Sequence, residues 1–243
     1  MFERTELLIG FDGLEKLRRS RLLVVGVGGV GAFAAEFAVR GGVGSIVLVD
    51  GDTVSESNLN RQLPALHSTV GKSKVGIMRD RLLDINPELE ITVFDEFVEA
   101  PRIGEILDLG FDFVIDAIDT VRAKTALILG ALERGCGLVS SMGAAGKLDP
   151  SKIEISTLEK SHHCPLARAV RHSVRAAGGD CRFPVVFSSE EPHGGVEQFS
   201  DPSAGRRSAP GSISYLPAAF GGFCAAAAIR YLLENKSLTL EKR

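Results

Sequence analysis

Residues 21–50 read RLLVVGVGGVGAFAAEFAVRGGVGSIVLVD. An apolar run, a glycine loop, a small-residue segment and a second apolar run ending in Asp50 follow one another without interruption. This order constrains the fold more than any other feature of the chain. Two apolar runs joined by a helix-length segment pair in parallel, and parallel strands must be covered on both faces. The pattern then repeats. Strand signals fall at 21–25, 45–49, 90–94, 112–116 and 137–141, with helical patterns at 31–41, 71–85, 101–108 and 122–134. Alternation of this kind predicts an α/β fold with a Rossmann-like, doubly wound, mostly parallel sheet.

The rest of the chain reads as an N-terminal helical arm (1–20) and a C-terminal extension (146–243) around a nucleotide-binding core (21–145), together one domain. The extension holds a further strand at 152–158, a basic helical segment at 160–182, and a stretch at 190–211 rich in Gly, Pro and Ser that reads as a long mobile loop. Residues 218–233 (AAFGGFCAAAAIRYLL) have an apolar run interrupted at Arg230. At roughly 12 apolar residues it is short for a membrane span and reads as a buried helix. With 243 residues, 44% of them hydrophobic, the chain can bury one sizeable core. A formal charge of −3 and a pI near 6.0 exclude a global basic field, though not a local one. Four scattered cysteines without a C-x-x-C pair fit a reducing cytosol. The mixed-charge N-terminus is not a signal peptide, so the expectation is a cytoplasmic protein without a membrane partner.

Gly26, Gly28 and Gly31 form G-x-G-x-x-G directly after a strand. The first allows the tight turn, the second lets a phosphate approach the backbone, and the third permits close packing of helix on strand. Free amides at the helix start attract phosphate, and Asp50 at the end of the next strand suits the ribose hydroxyls. These residues leave a nicotinamide cofactor and ATP both open. The segment VDGDTVSESNLNRQ places Asp52, Asn58, Asn60, Arg61 and Gln62 beyond the carboxyl end of that strand, and GKSK adds Lys72 and Lys74. A triphosphate needs fixed cations, which Arg61 and Lys74 can provide. For either residue alone, a solvated loop cation is the ordinary fate. After the next strand come Asp116 and Asp119. Asp119 suits Mg²⁺ as a hard oxygen ligand, or serves as the N-cap of the helix that follows.

The set GVGGVG, LVDGDTVSESNLNRQ, VGKSK and IDAIDTVR resembles the ubiquitin-activating-like adenylyltransferase superfamily, which includes the ThiF and MoeB activators of sulfur-carrier proteins. The segments INPELEITVFDEFV, FDFVIDAIDTVRAKTALI, MGAAGKLDPSKIEISTL, CPLARAVR and GSISYLPAAFGGFCAA look most like its tRNA threonylcarbamoyladenosine dehydratase branch. The resemblance spans residues 4 to 230. It implies an ATP-dependent adenylation of the threonyl carboxylate on a tRNA nucleoside beside the anticodon, then ring closure with release of AMP. By the same resemblance Gly26, Gly28, Gly29 and Gly31 line the nucleotide loop. Asp50 holds the ribose with Asp52 nearby, and Asn58, Arg61 and Lys74 face the phosphates. Asp119 coordinates Mg²⁺, and Arg4 reaches the ATP site of a neighbouring subunit in a homodimer.

The superfamily's zinc-holding carrier activators carry two C-x-x-C pairs late in the chain, and this sequence has none. Activation of the C-terminal glycine of a sulfur-carrier protein remains the alternative, with a carrier or sulfur-transferase as partner. A nucleotide-sensing or NAD-binding module is a second alternative, from a different class. Cys164 in SHHCPLARAVR has His162, His163, Arg168 and Arg171 near it, which would favour a thiolate, but a packing role is the simpler expectation. The spacing of His162, His163 and Cys164 is too tight for a four-ligand metal site. For tRNA the sequence offers Lys160, Arg168, Arg171, Arg175 and Arg182 with His162, His163 and His172, against Asp180 alone, and further on Arg206 and Arg207.

Overall fold

The computed structural model describes residues 1–193 and 211–234. Arg206, Arg207 and most of the expected mobile loop lie outside the described residues. Helix α1 (Glu3–Arg19), kinked where Gly10 takes φ 76°, leads into β1 (Arg21–Val25). Then follow α2 (Gly31–Gly41), β2 (Ser45–Val49), α3 (Lys74–Ile85), β3 (Glu90–Phe94), α4 (Ala100–Leu107), β4 (Phe113–Asp116), α5 (Val121–Glu133) and β5 (Gly137–Ser141). The extension contributes β6 (Ile153–Thr157), α6 (Pro165–Ala176), β7 (Pro184–Ser188) and α7 (Tyr215–Leu233).

The strands form one sheet in the order β3-β2-β1-β4-β5-β7-β6, parallel throughout except where β6 runs antiparallel to β7. The doubly wound expectation therefore holds. The chain winds outward from β1 in both directions, so the crevice between the carboxyl ends of β1 and β4 is the switch point at which such sheets take ligands. Register keeps those ends level, with Val25 beside both Val49 and Asp116.

One face of the sheet is covered by α2, α3 and α7 through residues such as Ala35, Met78 and Phe220. The other is covered by α4, α5 and α6 through Ile106, Leu127 and Val170. Helices α2 and α7 lie unusually close. A Cβ on Gly221 would stand 2.6 Å from the carbonyl oxygen of Val30, so the small residues of both helices are a packing requirement. Helix α7 is long and apolar enough by composition to cross a bilayer, yet half of its apolar window is buried against α2 and the sheet.

Several boundaries shift for local reasons. Helix α3 begins at Lys74 and not 71, because Gly71 adopts φ 83° and the Ser73 hydroxyl accepts from the Gly76 amide as a cap. Strand β4 begins one residue late, since the Asp112 carboxylate accepts the Arg21 amide. The basic segment at 160–182 is helical only over Pro165–Ala176. Strand β7 was not anticipated. It inserts between β5 and β6 and gives the extension its place on the sheet. The mobile-loop expectation for 190–211 also starts too early. Glu190 is buried, and its carboxylate accepts the amides of Leu148 and Asp149.

Candidate nucleotide site

The glycine loop departs from β1 with Gly26 at φ 89°. A Cβ there would lie 2.6 Å from the Ala117 carbonyl oxygen, and one on Gly31 would lie 1.8 Å from that of Gly26. These two glycines let the loop close on β4 and let α2 start against it. Gly28 differs, because a Cβ would meet only the Gln62 side chain, at 3.6 Å. Gly29 is hemmed by Pro217 at 3.0 Å and by the Arg61 carbonyl oxygen at 3.5 Å. Helix α2 starts at Gly31 with no side-chain cap; the Ala32 amide donates to the Gly28 carbonyl, while the Gly31 amide has no backbone partner among the described residues and is open to an anion.

Two neighbouring loops are fastened to this one. From β2, Asp50 accepts the Val27 amide on Oδ2 (2.6 Å) and the Asp52 amide on Oδ1 (2.8 Å). Each oxygen keeps a second lone pair, which is what ribose hydroxyls require. Burial raises the Asp50 pKa above its ordinary value, opposed by the two amides and by Lys74. The loop after Asp50 brings Gln62 and Arg61 against Gly28 and Gly29. From β4, the Ala117 amide donates to the Val25 carbonyl, which sets the Ala117–Asp119 segment beside the turn.

Lys74 is almost fully buried and its ammonium lies 2.8 Å from Asp52 Oδ2, so two of its three N–H donors are left for another acceptor. Arg61 Nη1 donates to the Ser57 carbonyl and to Asn60 Oδ1, while Nε and Nη2 have no partner among the described residues. Burial lowers the Arg61 pKa from its ordinary value. Asn58 is less available than the sequence suggests. It is buried, and its Oδ1 accepts the Ser55 amide within its own turn.

Asp119 is exposed, and the N-cap of α5 is Thr120, with no side-chain cap bond. The capping alternative for Asp119 is therefore excluded. Asp116 is no partner to it either. It ends β4 in full burial, bonded to Ser140 Oγ at 2.6 Å and to Lys124 Nζ at 2.9 Å. Arg4 lies exposed in the first turn of α1, an element that packs against α7.

The residues fit ATP on one further ground. Gln62 Oε1 is buried without a hydrogen-bond partner, 3.9 Å from where a Gly28 Cβ would stand. An orphaned acceptor beside an open glycine is what a nucleotide hydroxyl or amine would satisfy. For Mg²⁺ the donor offered by the described residues of these loops is the exposed carboxylate of Asp119. No cluster of three metal-binding side chains occurs among the described residues. That suits an ion that keeps its waters and is held mainly by phosphate.

Sequence reasoning passed over two residues that shape the site. Gln62 appeared there only as a loop member. Lys124 lies on the buried stripe of α5 with Leu127, Ile128 and Ala131. A lysine at an apolar position was the available signal, because such a charge requires a buried acid.

Cys164 is the N-cap of α6, its Sγ accepting from the Ala167 amide at 3.4 Å and from the Gly143 amide at 3.3 Å. Arg171 is turned inward, where it donates to the carbonyls of Leu158 and Ser161 and to the Ser161 hydroxyl. Arg182 is paired with Asp180. The basic surface of this segment is thus narrower than its composition.

The tRNA threonylcarbamoyladenosine dehydratase of Bacillus subtilis is 48% identical over 191 residues, covering 79% of this chain and 75% of that protein. The molybdopterin-synthase adenylyltransferase of Escherichia coli is 37% identical over 154 residues, 63% of this chain and 60% of its own length. The crystal structure of the E. coli tRNA N6-threonylcarbamoyladenosine dehydratase TcdA in complex with ATP superposes with a TM-score of 0.86 at 34% identity, covering 96% of this chain and 93% of that one. The model of the ThiF family matches residues 2–243, and the chain belongs to that family.

Proposed function

We propose that this protein uses ATP to dehydrate threonylcarbamoyladenosine in tRNA. The threonyl carboxylate attacks the α-phosphorus, the bond to the β-phosphate oxygen breaks, and pyrophosphate leaves. An internal nucleophile of the same group then attacks the acyl carbon. AMP departs with the carboxylate oxygen, the nucleophile gives up its proton, and the nucleoside becomes lighter by one water. The intramolecular attack needs little further entropy loss, so no covalent enzyme intermediate is required.

The observation that carries this reading is the fastening of two loops onto an open glycine turn at the β1/β4 switch point. In it the α2 amides and Lys74 hold the phosphates, and Arg61 stabilises charge that builds at the α-phosphate. Asp50 orients the ribose, and Asp119 orients the reacting groups. Mg²⁺, held through Asp119, neutralises phosphate charge when bound. The whole chain acts as one adenylating unit in the cytoplasm. Leu7, Leu8 and Phe11 of α1 are 84%, 84% and 62% exposed, an apolar face beside Arg4 that suits a homodimer in which Arg4 crosses to the partner.

Incubation with ATP, Mg²⁺ and tRNA bearing threonylcarbamoyladenosine, followed by nucleoside mass analysis, tests the reading. Loss of one water with release of AMP is expected, and an unchanged nucleoside overturns it. Activation of a sulfur-carrier protein is disfavoured, because the absent C-x-x-C pairs leave no zinc anchor of the kind expected for such an activator.

A further inference from the structure

Helix α6 buries Ala167, Val170 and Val174 and turns Arg168, His172 and Arg175 to solvent. The last three are spaced i, i+4 and i+7, so they form one stripe about 10 Å long on the helix surface. Among the described residues, none of the three makes an ion pair. At its upper end the stripe meets a cleft of about 780 Å³ lined by His162, His163, Pro165, Arg168, Ala169 and His172.

The two imidazoles are held in place. His163 has φ 50°, a left-handed conformation unusual outside glycine, and its carbonyl accepts the Lys147 ammonium at 3.2 Å. Lys147 is buried and also donates to the carbonyls of Ser188 and Glu190, which ties this turn to the end of β7. His162 stands edge-on to Phe187 and to His163, with centroids 5.2 and 4.8 Å apart. Among the described residues, the carboxylate paired with the cluster is Glu191, 3.6 Å from His163 Nδ1.

The head of α6, which walls the cleft, lies at the carboxyl edge of the sheet. The Gly143 amide, just past β5, donates to Cys164 at the head of α6. Since β5 adjoins β4 and β4 adjoins β1, the end of β5 that anchors this helix head lies two strands, about 10 Å, along the sheet from the end of β1 that carries the glycine loop.

We propose that this surface docks the anticodon arm of the tRNA substrate, with Arg168, His172 and Arg175 on backbone phosphates and the His162–His163 turn stacking an unpaired base. The inference deepens the dehydratase reading and rests on it for the identity of the RNA. Charge complementarity selects the occupant. Two arginines on either side of an imidazole, none of them ion-paired among the described residues, match a phosphate backbone, and planar rings at the end of the row match the splayed bases of a single-stranded loop.

The test is binding of unmodified tRNA, which lacks the reacting carboxylate, followed by fluorescence anisotropy across a salt series. Removing both arginines (Arg168→Gln with Arg175→Gln) should reduce the slope of log affinity against log salt by about 2. Ala169→Glu leaves every cation in place and is expected to weaken binding about tenfold by repulsion. ATP affinity measured without RNA reports whether each variant is folded. Wild-type affinity and slope in both folded variants, or no RNA binding by the wild type, overturn the docking surface. Lost RNA binding in the variants, in a wild type that binds tRNA yet leaves the modified nucleoside unchanged, supports the surface and overturns the dehydratase reading alone.

Discussion

Lys124 Nζ stands 2.9 Å from Asp116 Oδ2 with both side chains at 0% exposure, and the pair brackets the residue before Asp119. Asp116 Oδ1 accepts the Ile118 amide at 3.1 Å, while Lys124 donates to the Ile118 carbonyl at 3.0 Å. One ion pair thus grips both polar groups of a single residue in the loop and fixes where Asp119 leaves the sheet. Removing one partner strands a buried charge. Lys124→Met should lower unfolding free energy by about 3–5 kcal/mol, read from urea denaturation. Adding Asp116→Asn should recover much of that stability. If turnover returns along with stability in the double variant, the pair does not position Asp119.

The glycines of the loop separate packing from binding. Gly31→Ala should be severely destabilising, because no relaxation of a side chain can relieve a Cβ 1.8 Å from a backbone oxygen. Gly28→Ala should fold with near-normal thermal stability, because only the end of Gln62 lies near its Cβ, at 3.6 Å. Its ATP affinity should fall, since the methyl group occupies the space a phosphate would take. Calorimetric titration with ATP beside a thermal melt gives both readouts. Equal loss of stability in the two variants would contradict the assignment of Gly28.

Arg61, Lys74 and Asp119 are expected to act more on turnover than on nucleotide affinity. Single alanine substitutions should lower kcat by about 10²–10³, the range for removing one preorganised charge from a transition state. Adenosine binding should change far less. Arg61→Lys should rescue only weakly, because the guanidinium already uses one nitrogen on Ser57 and Asn60 and presents the others in a fixed fork. Kinetics of pyrophosphate release against ATP concentration separate the two effects. Lower ATP affinity with an unchanged kcat would reduce these residues to ground-state binding.

The nucleotide half of the molecule was legible because its signals are local. Val24 and Val47 lie in strands buried on both faces and so read as continuous apolar runs, and Gly26 and Gly31 mark a turn wherever they occur at that spacing. The extension was less legible because its partners are distant in sequence. Strand β7 reaches the sheet only after α6, and pairs Val186 with Ser141 on one side and with Ile155 on the other. The same holds for charge. Composition counted Arg171 as surface, yet carbonyls of residues 158 and 161 draw it inward. Which cations remain for RNA is decided by such tertiary contacts, and periodicity carries no record of them.

Cys164 distinguishes capping from covalent chemistry. Its sulfur accepts two backbone amides, Gly143 from the end of β5 and Ala167 from the first turn of α6, so it fixes the head of the helix to the sheet. Cys164→Ala should cost about 0.5–2 kcal/mol, as lost N-caps do. Cys164→Ser keeps an acceptor and should recover part of it, although its shorter reach will not span both amides as sulfur does. Neither change should abolish dehydration, because ring closure uses a nucleophile carried by the substrate. The discriminating experiment is single-turnover dehydration with Cys164→Ala at a temperature where that variant is fully folded. Loss of all product there, restored by no serine variant, would mean that a thiol attacks the acyl adenylate during dehydration and would overturn the capping role.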